Sequence, residues 1–207
     1  MNAMSKSSKK YMPTYIIIAL NIIFYVFTSI LSGNIVEMDY YVIRQYGQYN
    51  LFVLNGAYWQ LFTSMFVHAS ITHLLGNMFF LLIFGLRAEE WFSLKEYLLI
   101  YFLSGLAGNL LTLLFGFDMV SAGASGAIFG VFGACTIYFR RAIGQSIFSA
   151  LLYSFFLLMI STGLNVNVLA HLGGLVVGLL TGYVLGATRR RNVTATYEYR
   201  YSFSARG

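Results

Sequence analysis

An all-α, polytopic membrane bundle of six transmembrane helices, with a long interfacial loop between the first and second, is the architecture this sequence predicts. Three observations carry that prediction. Hydrophobic residues make up 58% of the 207 and charged residues only 10%, with a single proline to interrupt helices. Several segments reach the ~20 apolar residues needed to cross a bilayer core. The charges fall in short runs between those segments, so the net charge of +6 is a topology signal and not the basic face that a nucleic-acid binder needs. No nucleic-acid partner is expected. The lone cysteine, Cys135, sits in an apolar run and has no intramolecular disulfide partner.

Residues 1–12 carry Lys6, Lys9 and Lys10 and form a basic amino terminus ahead of an apolar run from about Tyr15 to Leu31. A secretory signal would have a shorter core and a small-residue cleavage site, so this run is read as a retained first span. Ser32 to Tyr58 then holds Glu37, Asp39, Arg44 and the tyrosines 40, 41, 46, 49 and 58. Amphipathic rings favour the membrane–water boundary, which lays this connector against the outer headgroups, and its length points to structure or function of its own. The next apolar segment, Trp59 to Leu86, is too long for one untilted crossing. Its first part is open to assignment with the loop, and the depth of His73 is open with it. After a turn bearing Arg87, Glu89, Glu90 and Lys95, a third span covers about Tyr97 to Phe115, and Asp118 marks the next loop. A fourth runs from about Ser125 to Tyr138 and is closed by Arg140 and Arg141; a fifth spans about Ile147 to Ile160 and a sixth about Val168 to Leu185. The membrane domain is thus 13–186, and the polar, basic residues 187–207 are expected to form a partly disordered tail.

Six crossings put both termini on one side, and the basic residues test that count. Three lie at the amino end, two in the second loop (Arg87, Lys95), two in the fourth (Arg140, Arg141) and five in the tail (Arg189, Arg190, Arg191, Arg200, Arg206), leaving Arg44 alone of the thirteen on the other side. The positive-inside rule then makes both termini cytoplasmic and starts the fourth and sixth spans near the outer face. Ser125 and His171 lie at similar depth, a few residues below that surface.

These two residues are the sequence's main functional signal. Ser125 stands in Gly123-Ala124-Ser125-Gly126 and His171 in Ala170-His171-Leu172-Gly173-Gly174. A hydroxyl and an imidazole are the groups needed to make and discharge an acyl-enzyme, and neither belongs at membrane depth without a partner or a water-filled cavity. His171, Gly174, Gly178 and Gly182 share one helical face, and Gly126, Gly130 and Gly133 form a similar bare strip with Ser125 at its edge. Small residues let membrane helices approach closely, so the two strips can join the fourth and sixth spans. Glycine spacing by itself is ordinary helix packing. That account leaves unexplained an imidazole on the glycine face, level with a serine flanked by glycines.

His73 and Asn77, four residues apart, project from one helical face and could donate hydrogen bonds to a single anionic oxygen. Taken singly, each also reads as a packing residue, Asn77 bonding between helices and His73 satisfied in the interior. The three histidines, His68, His73 and His171, do not make a metal site, because no HExxH spacing and no carboxylate or cysteine cluster accompanies them. Neither metal nor cofactor is expected.

Taken together, the chain resembles the rhomboid intramembrane serine proteases. His73-x-x-x-Asn77 in the second span, Gly123-x-Ser125-Gly126 in the fourth and Ala170-His171-x-x-Gly174 in the sixth stand in that family's order, and the likeness covers nearly the whole six-helix chain. The resemblance implies that Ser125 is the nucleophile and His171 the general base and later the general acid. It makes His73, Asn77 and the Ser125 amide the oxyanion donors. It gives His68 a structural role near the active-site water, and Glu89 the role of bonding loop or helix-end backbone groups. Two positions depart from the family pattern: Trp59-Gln60 replaces a frequent Trp-Arg, which puts an arginine-dependent loop anchor in doubt, and Phe129 replaces a frequent tyrosine, which excludes a phenolic hydroxyl. No carboxylate stands beside His171, and Glu37, Asp39 and Asp118 all lie in loops, so a Ser-His dyad is expected.

The partners implied are membrane lipid and a transmembrane protein substrate, cleaved near the outer face of the cell membrane. Weak helix formers near the scissile bond should favour cleavage, because a helix hides its carbonyls. The fifth span with the loop Ser161 to Asn167 is the expected gate. Two rivals stand beside this reading: a non-catalytic rhomboid-like protein that binds membrane helices, and a small transporter, for which no internal repeat or intramembrane carboxylate speaks.

Overall fold

The computed structural model describes residues 12–144, 146–160 and 166–204. The amino-terminal lysines and residues 161–165 of the expected gate loop lie outside the described residues. In chain order the elements are α1 (Met12–Ser32), α2 (Tyr40–Tyr46), β1 (Gln48–Tyr49), α3 (Asn50–Leu54), α4 (Gln60–Thr63), α5 (Ile71–Trp91), α6 (Leu94–Thr112), a 3-10 turn (Leu113–Phe115), β2 (Val120–Ser121), α7 (Ser125–Ala142), α8 (Phe148–Ile160) and α9 (Val168–Ser204). By length and composition four of these can cross a membrane: α1, α5, α6 with its 3-10 turn, and α9 as far as Arg189. The fourth and fifth spans of the sequence reading correspond to α7 and α8, which are shorter, at 18 and 13 residues.

Local chemistry sets the helix ends. The Ser70 hydroxyl caps α5 by accepting from the His73 amide, which divides the long second apolar segment and puts His73 in the first turn of a helix. Ser93 and Glu96 form a capping box that starts α6 directly after α5. At the other extreme, α9 keeps its helical backbone well past Leu185, because no glycine or proline follows Gly186 before Ser204 to stop it.

Side-chain amides organise the connector between α1 and α5. Its two-residue strand β1 pairs antiparallel with β2, Gln48 opposite Ser121 and Tyr49 opposite Val120. The buried Gln60 amide accepts from the Tyr49 backbone N–H at 2.9 Å and donates to the carbonyls of Arg44 and Gln45, both at 3.0 Å. Asn50 Nδ2 donates to the carbonyls of Thr112 and Gly116, and Asn109 Nδ2 to the Leu61 carbonyl and the Ser64 hydroxyl. Irregular backbone is tolerated in an apolar surrounding only when its polar groups are satisfied internally, and these amides supply the partners.

The centre is a three-helix contact of α6, α7 and α9, made backbone to backbone. A methyl group on Gly174 would overlap the Gly126 carbonyl, one on Gly178 the Gly130 carbonyl, and one on Gly182 the Ala134 carbonyl. The glycine face of the sixth span is therefore a contact surface; Gly133 is the exception in its strip and faces Leu175 and Leu179. From the other side α6 brings Gly108 against the Ala170 carbonyl. The charged groups of the helix ends gather opposite Ser125 and His171. There Arg189 pairs with the Glu96 carboxylate at 2.6 Å and donates to the Trp91 carbonyl and the Tyr138 hydroxyl, while Glu89 accepts from the Thr14 N–H at 2.7 Å. The contact of Glu89 with the start of α1 is of the helix-end kind the resemblance implies.

Candidate active site

Ser125 is the first residue of α7, delivered by a turn that only glycine fits well. Gly123 sits at φ +130°, and its N–H donates to the Ser64 carbonyl at 2.8 Å. The helix cap is Ala124, which has no side-chain acceptor to offer. The first-turn amides of α7 therefore lack a capping side chain and, with the positive end of the helix dipole, form a local anion-attracting surface beside the serine.

His171 lies in the first turn of α9. Its Nε2 is 2.8 Å from Ser125 Oγ, a distance that suits a hydrogen bond with the proton on either partner. The imidazole stacks on Phe129, one turn after Ser125 in α7, with ring centroids 4.4 Å apart and planes 17° from parallel. Phe129 thus supplies a platform beneath the histidine and no hydroxyl. Asn167 begins the helix: its Oδ1 accepts from the Ala170 N–H at 3.0 Å, and its Nδ2 donates to Thr112 Oγ1 at 2.7 Å and Ser121 Oγ at 2.8 Å.

His73 and Asn77 face the same place from α5. A methyl group on Gly123 would fall 2.9 Å from His73 Nε2 and 3.6 Å from Asn77 Nδ2, so both donors converge on the backbone two residues before Ser125. Asn77 Nδ2 meanwhile donates to the His73 carbonyl at 3.2 Å. His73, Asn77, Ser125 and His171 line one cavity of about 830 Å³, together with Phe129 and Asn167. Among the described residues no carboxylate lines it. His68 stands behind this group, fully buried and edge-on to His73 at 5.1 Å, and burial pushes its pKa down to about 3, which keeps it neutral.

The structure brings all four sequence-predicted site residues together. A hydroxyl bonded to an imidazole, with a second imidazole and a side-chain amide lining the same cavity, is a set suited to acyl transfer. Asn167 enters the sequence analysis only as the end of the expected gate loop, although an asparagine directly before an apolar helix is a signal for the cap it makes. A rhomboid domain family model matches residues 55–188, which include α5, α7, the start of α9 and all four of these residues.

The chain belongs to the rhomboid family. It is 35% identical over 181 residues to the putative rhomboid protease YdcA of Bacillus subtilis (strain 168), covering 84% of this chain and 89% of that relative. It is 31% identical over 182 residues to the rhomboid protease GluP of the same organism, covering 84% of this chain and 34% of GluP. The mitochondrial RHOMBOID-like protein 6 of Arabidopsis thaliana is 39% identical over 133 residues, 61% of this chain. The chain spans 43% of that plant relative and 34% of RHOMBOID-like protein 1 from the same plant, less than half of either. Family and apolar helices together make this rhomboid a membrane protein. Its Gln60, at the position where the resemblance places an arginine, is itself the hydrogen-bonding anchor of the loop.

Proposed function

We propose that this rhomboid is an intramembrane serine endopeptidase acting through a Ser125-His171 dyad. The observation that carries the reading is the 2.8 Å contact between Ser125 Oγ and His171 Nε2 at the wall of a cavity. Ser125 attacks a substrate carbonyl while His171 Nε2 takes the hydroxyl proton. The tetrahedral oxyanion is stabilised by His73, Asn77 and the Ser125 amide, donors that count for more in a water-poor site. His171 then returns its proton to the leaving amine, and the amine departs as the acyl-enzyme forms. Water entering the cavity attacks the acyl carbon as His171 takes its proton; the bond from that carbon to Ser125 Oγ then breaks, His171 returns the proton to Oγ, and the acid product leaves.

The substrates are transmembrane proteins, cleaved in or beside a span that unwinds near the outer face. Six crossings, with α7 and α8 as the shorter two, place the basic segments 1–12 and 187–207 in the cytoplasm around the membrane domain 13–186. Surrounding lipid completes the set of partners.

The test is cleavage of a single-span substrate in liposomes by the parent, Ser125→Ala and His171→Ala proteins. Each variant is expected to lose at least ~10³-fold in turnover, as removal of one member of a catalytic unit does. Binding of the substrate helix without cleavage by the parent would instead favour the helix-binding rival. Solute transport insensitive to Ser125→Ala would favour the transporter.

A further inference from the structure

Asn167 occupies a position that touches both halves of the dyad without entering the chemistry. It lies four residues before His171, and through its Oδ1 it caps the helix that carries His171. Its Nδ2 reaches across to Ser121 Oγ, and Ser121 lies four residues before Ser125. The same Nδ2 donates to Thr112 Oγ1 at the end of α6, whose hydroxyl is itself held by the Gly108 carbonyl at 2.9 Å. Ser121 is in turn fixed by the pairing of β2 with β1. One amide therefore ties the start of α9 to the strand that leads into the Gly123 turn and to the end of α6.

We infer that Asn167 is a positioning residue that sets the distance between the imidazole and the hydroxyl; this rests on the protease reading above. The physical case follows from what else holds the two groups in place. Below the dyad, α7 and α9 meet backbone to backbone at the Gly126 and Gly174 level, which fixes their separation one turn further in. Phe129 supports the flat face of the imidazole; above the dyad, among the described residues, lie the first residues of α9 and the short strand β2, and the start of a helix frays unless a side chain satisfies its amides. Asn167 supplies that cap and the lateral tie with a single rigid amide. Loss of the tie frees the first turn of α9 to move relative to β2, and a displacement of about 1 Å between reacting groups costs up to about 10²-fold in rate.

Asn167→Ser separates the two tasks, because a serine hydroxyl still caps the helix but is too short to bridge Ser121 and Thr112. Ser121→Ala removes the tie from its other end and leaves the cap intact. The experiment uses the full chain in liposomes and measures kcat and KM for a single-span substrate, the rate of Ser125 acylation by a fluorophosphonate, and the unfolding temperature. For Asn167→Ser the expected result is a kcat and an acylation rate lower by about 10- to 100-fold, with KM within about twofold and the unfolding temperature unchanged within error. Ser121→Ala should fall in the same direction, and the double variant should be no slower than Asn167→Ser alone, since the Asn167–Ser121 contact that Ser121→Ala removes is already lost in Asn167→Ser. An Asn167→Ser enzyme with full kcat, or one whose loss appears only in KM or only in step with unfolding, overturns the positioning role. If the parent neither cleaves nor labels and matches Ser125→Ala throughout, the protease reading falls and this inference falls with it. An active parent beside an unimpaired Asn167→Ser protein defeats this inference alone.

Discussion

At Gly123 a single methyl group would meet the His73 imidazole at 2.9 Å, in a backbone conformation, φ +130°, that side chains other than hydrogen rarely adopt. Gly123→Ala is accordingly predicted to cost about 1–3 kcal/mol in stability and to displace His73 from the site, with at least ~10-fold lower turnover. Full activity in that variant would show that His73 is free to move without consequence. Asn77 makes its described hydrogen bond to a carbonyl of its own helix, so Asn77→Ala should lower turnover more than it lowers the unfolding temperature; equal losses would favour a packing role. The meeting of Ser125 with His171 was legible in the sequence because two glycine strips at helical spacing dictated which faces touch, and position along each helix set the level. What Gln60 does was not. Against the Trp-Arg that the resemblance implies, glutamine puts an arginine-dependent anchor in doubt and signals no anchor of its own, because the three backbone partners it satisfies come from a different part of the loop and leave no local trace.

Among the elements, the connector between α1 and α5 depends on side-chain amides more than on regular structure. Its helices α2, α3 and α4 have seven, five and four residues, too short to be stable by their own backbone bonds. Sequence periodicity is silent over such lengths, which is why aromatic content alone could describe this stretch. Gln60→Ala would leave the Tyr49 N–H and two carbonyls without their partner, and we predict a loss of about 3 kcal/mol, read as a lower unfolding temperature in detergent. A change below ~1 kcal/mol would mean that the loop is held by other contacts. The α7–α9 contact makes the opposite case, in which sequence periodicity was sufficient. Gly178 packs on the Gly130 carbonyl with no room for a β-carbon, so Gly178→Leu should abolish the folded, probe-reactive protein, as overpacking of a backbone contact requires. Retention of native unfolding behaviour in that variant would contradict the described helix pairing.

For the whole molecule, the arrangement is polarised along the bundle. One end holds the site and the amide-rich loop; the other holds the Arg189–Glu96 pair, the Glu89 contact with Thr14 and the stacking of Arg141 on Tyr183 at 3.8 Å. That division is consistent with the proposed topology, in which the basic ends lie in the cytoplasm. It predicts the outcome of impermeant thiol labelling in intact cells with a Cys135→Ala background. Asp118→Cys should react from outside, and Lys95→Cys only after permeabilisation; the reverse pattern would invert the proposed topology. The long α9 was only partly legible, since its apolar run ends near Leu185 while the absence of a stop signal lets the backbone continue. The proposed activation of Ser125 by His171 is read most directly by fluorophosphonate labelling of the full chain in bilayers, mapped by mass spectrometry. One adduct is expected, on Ser125, forming at least ~10³-fold more slowly in His171→Ala; an adduct on a different serine, or an undiminished rate without His171, would overturn the dyad.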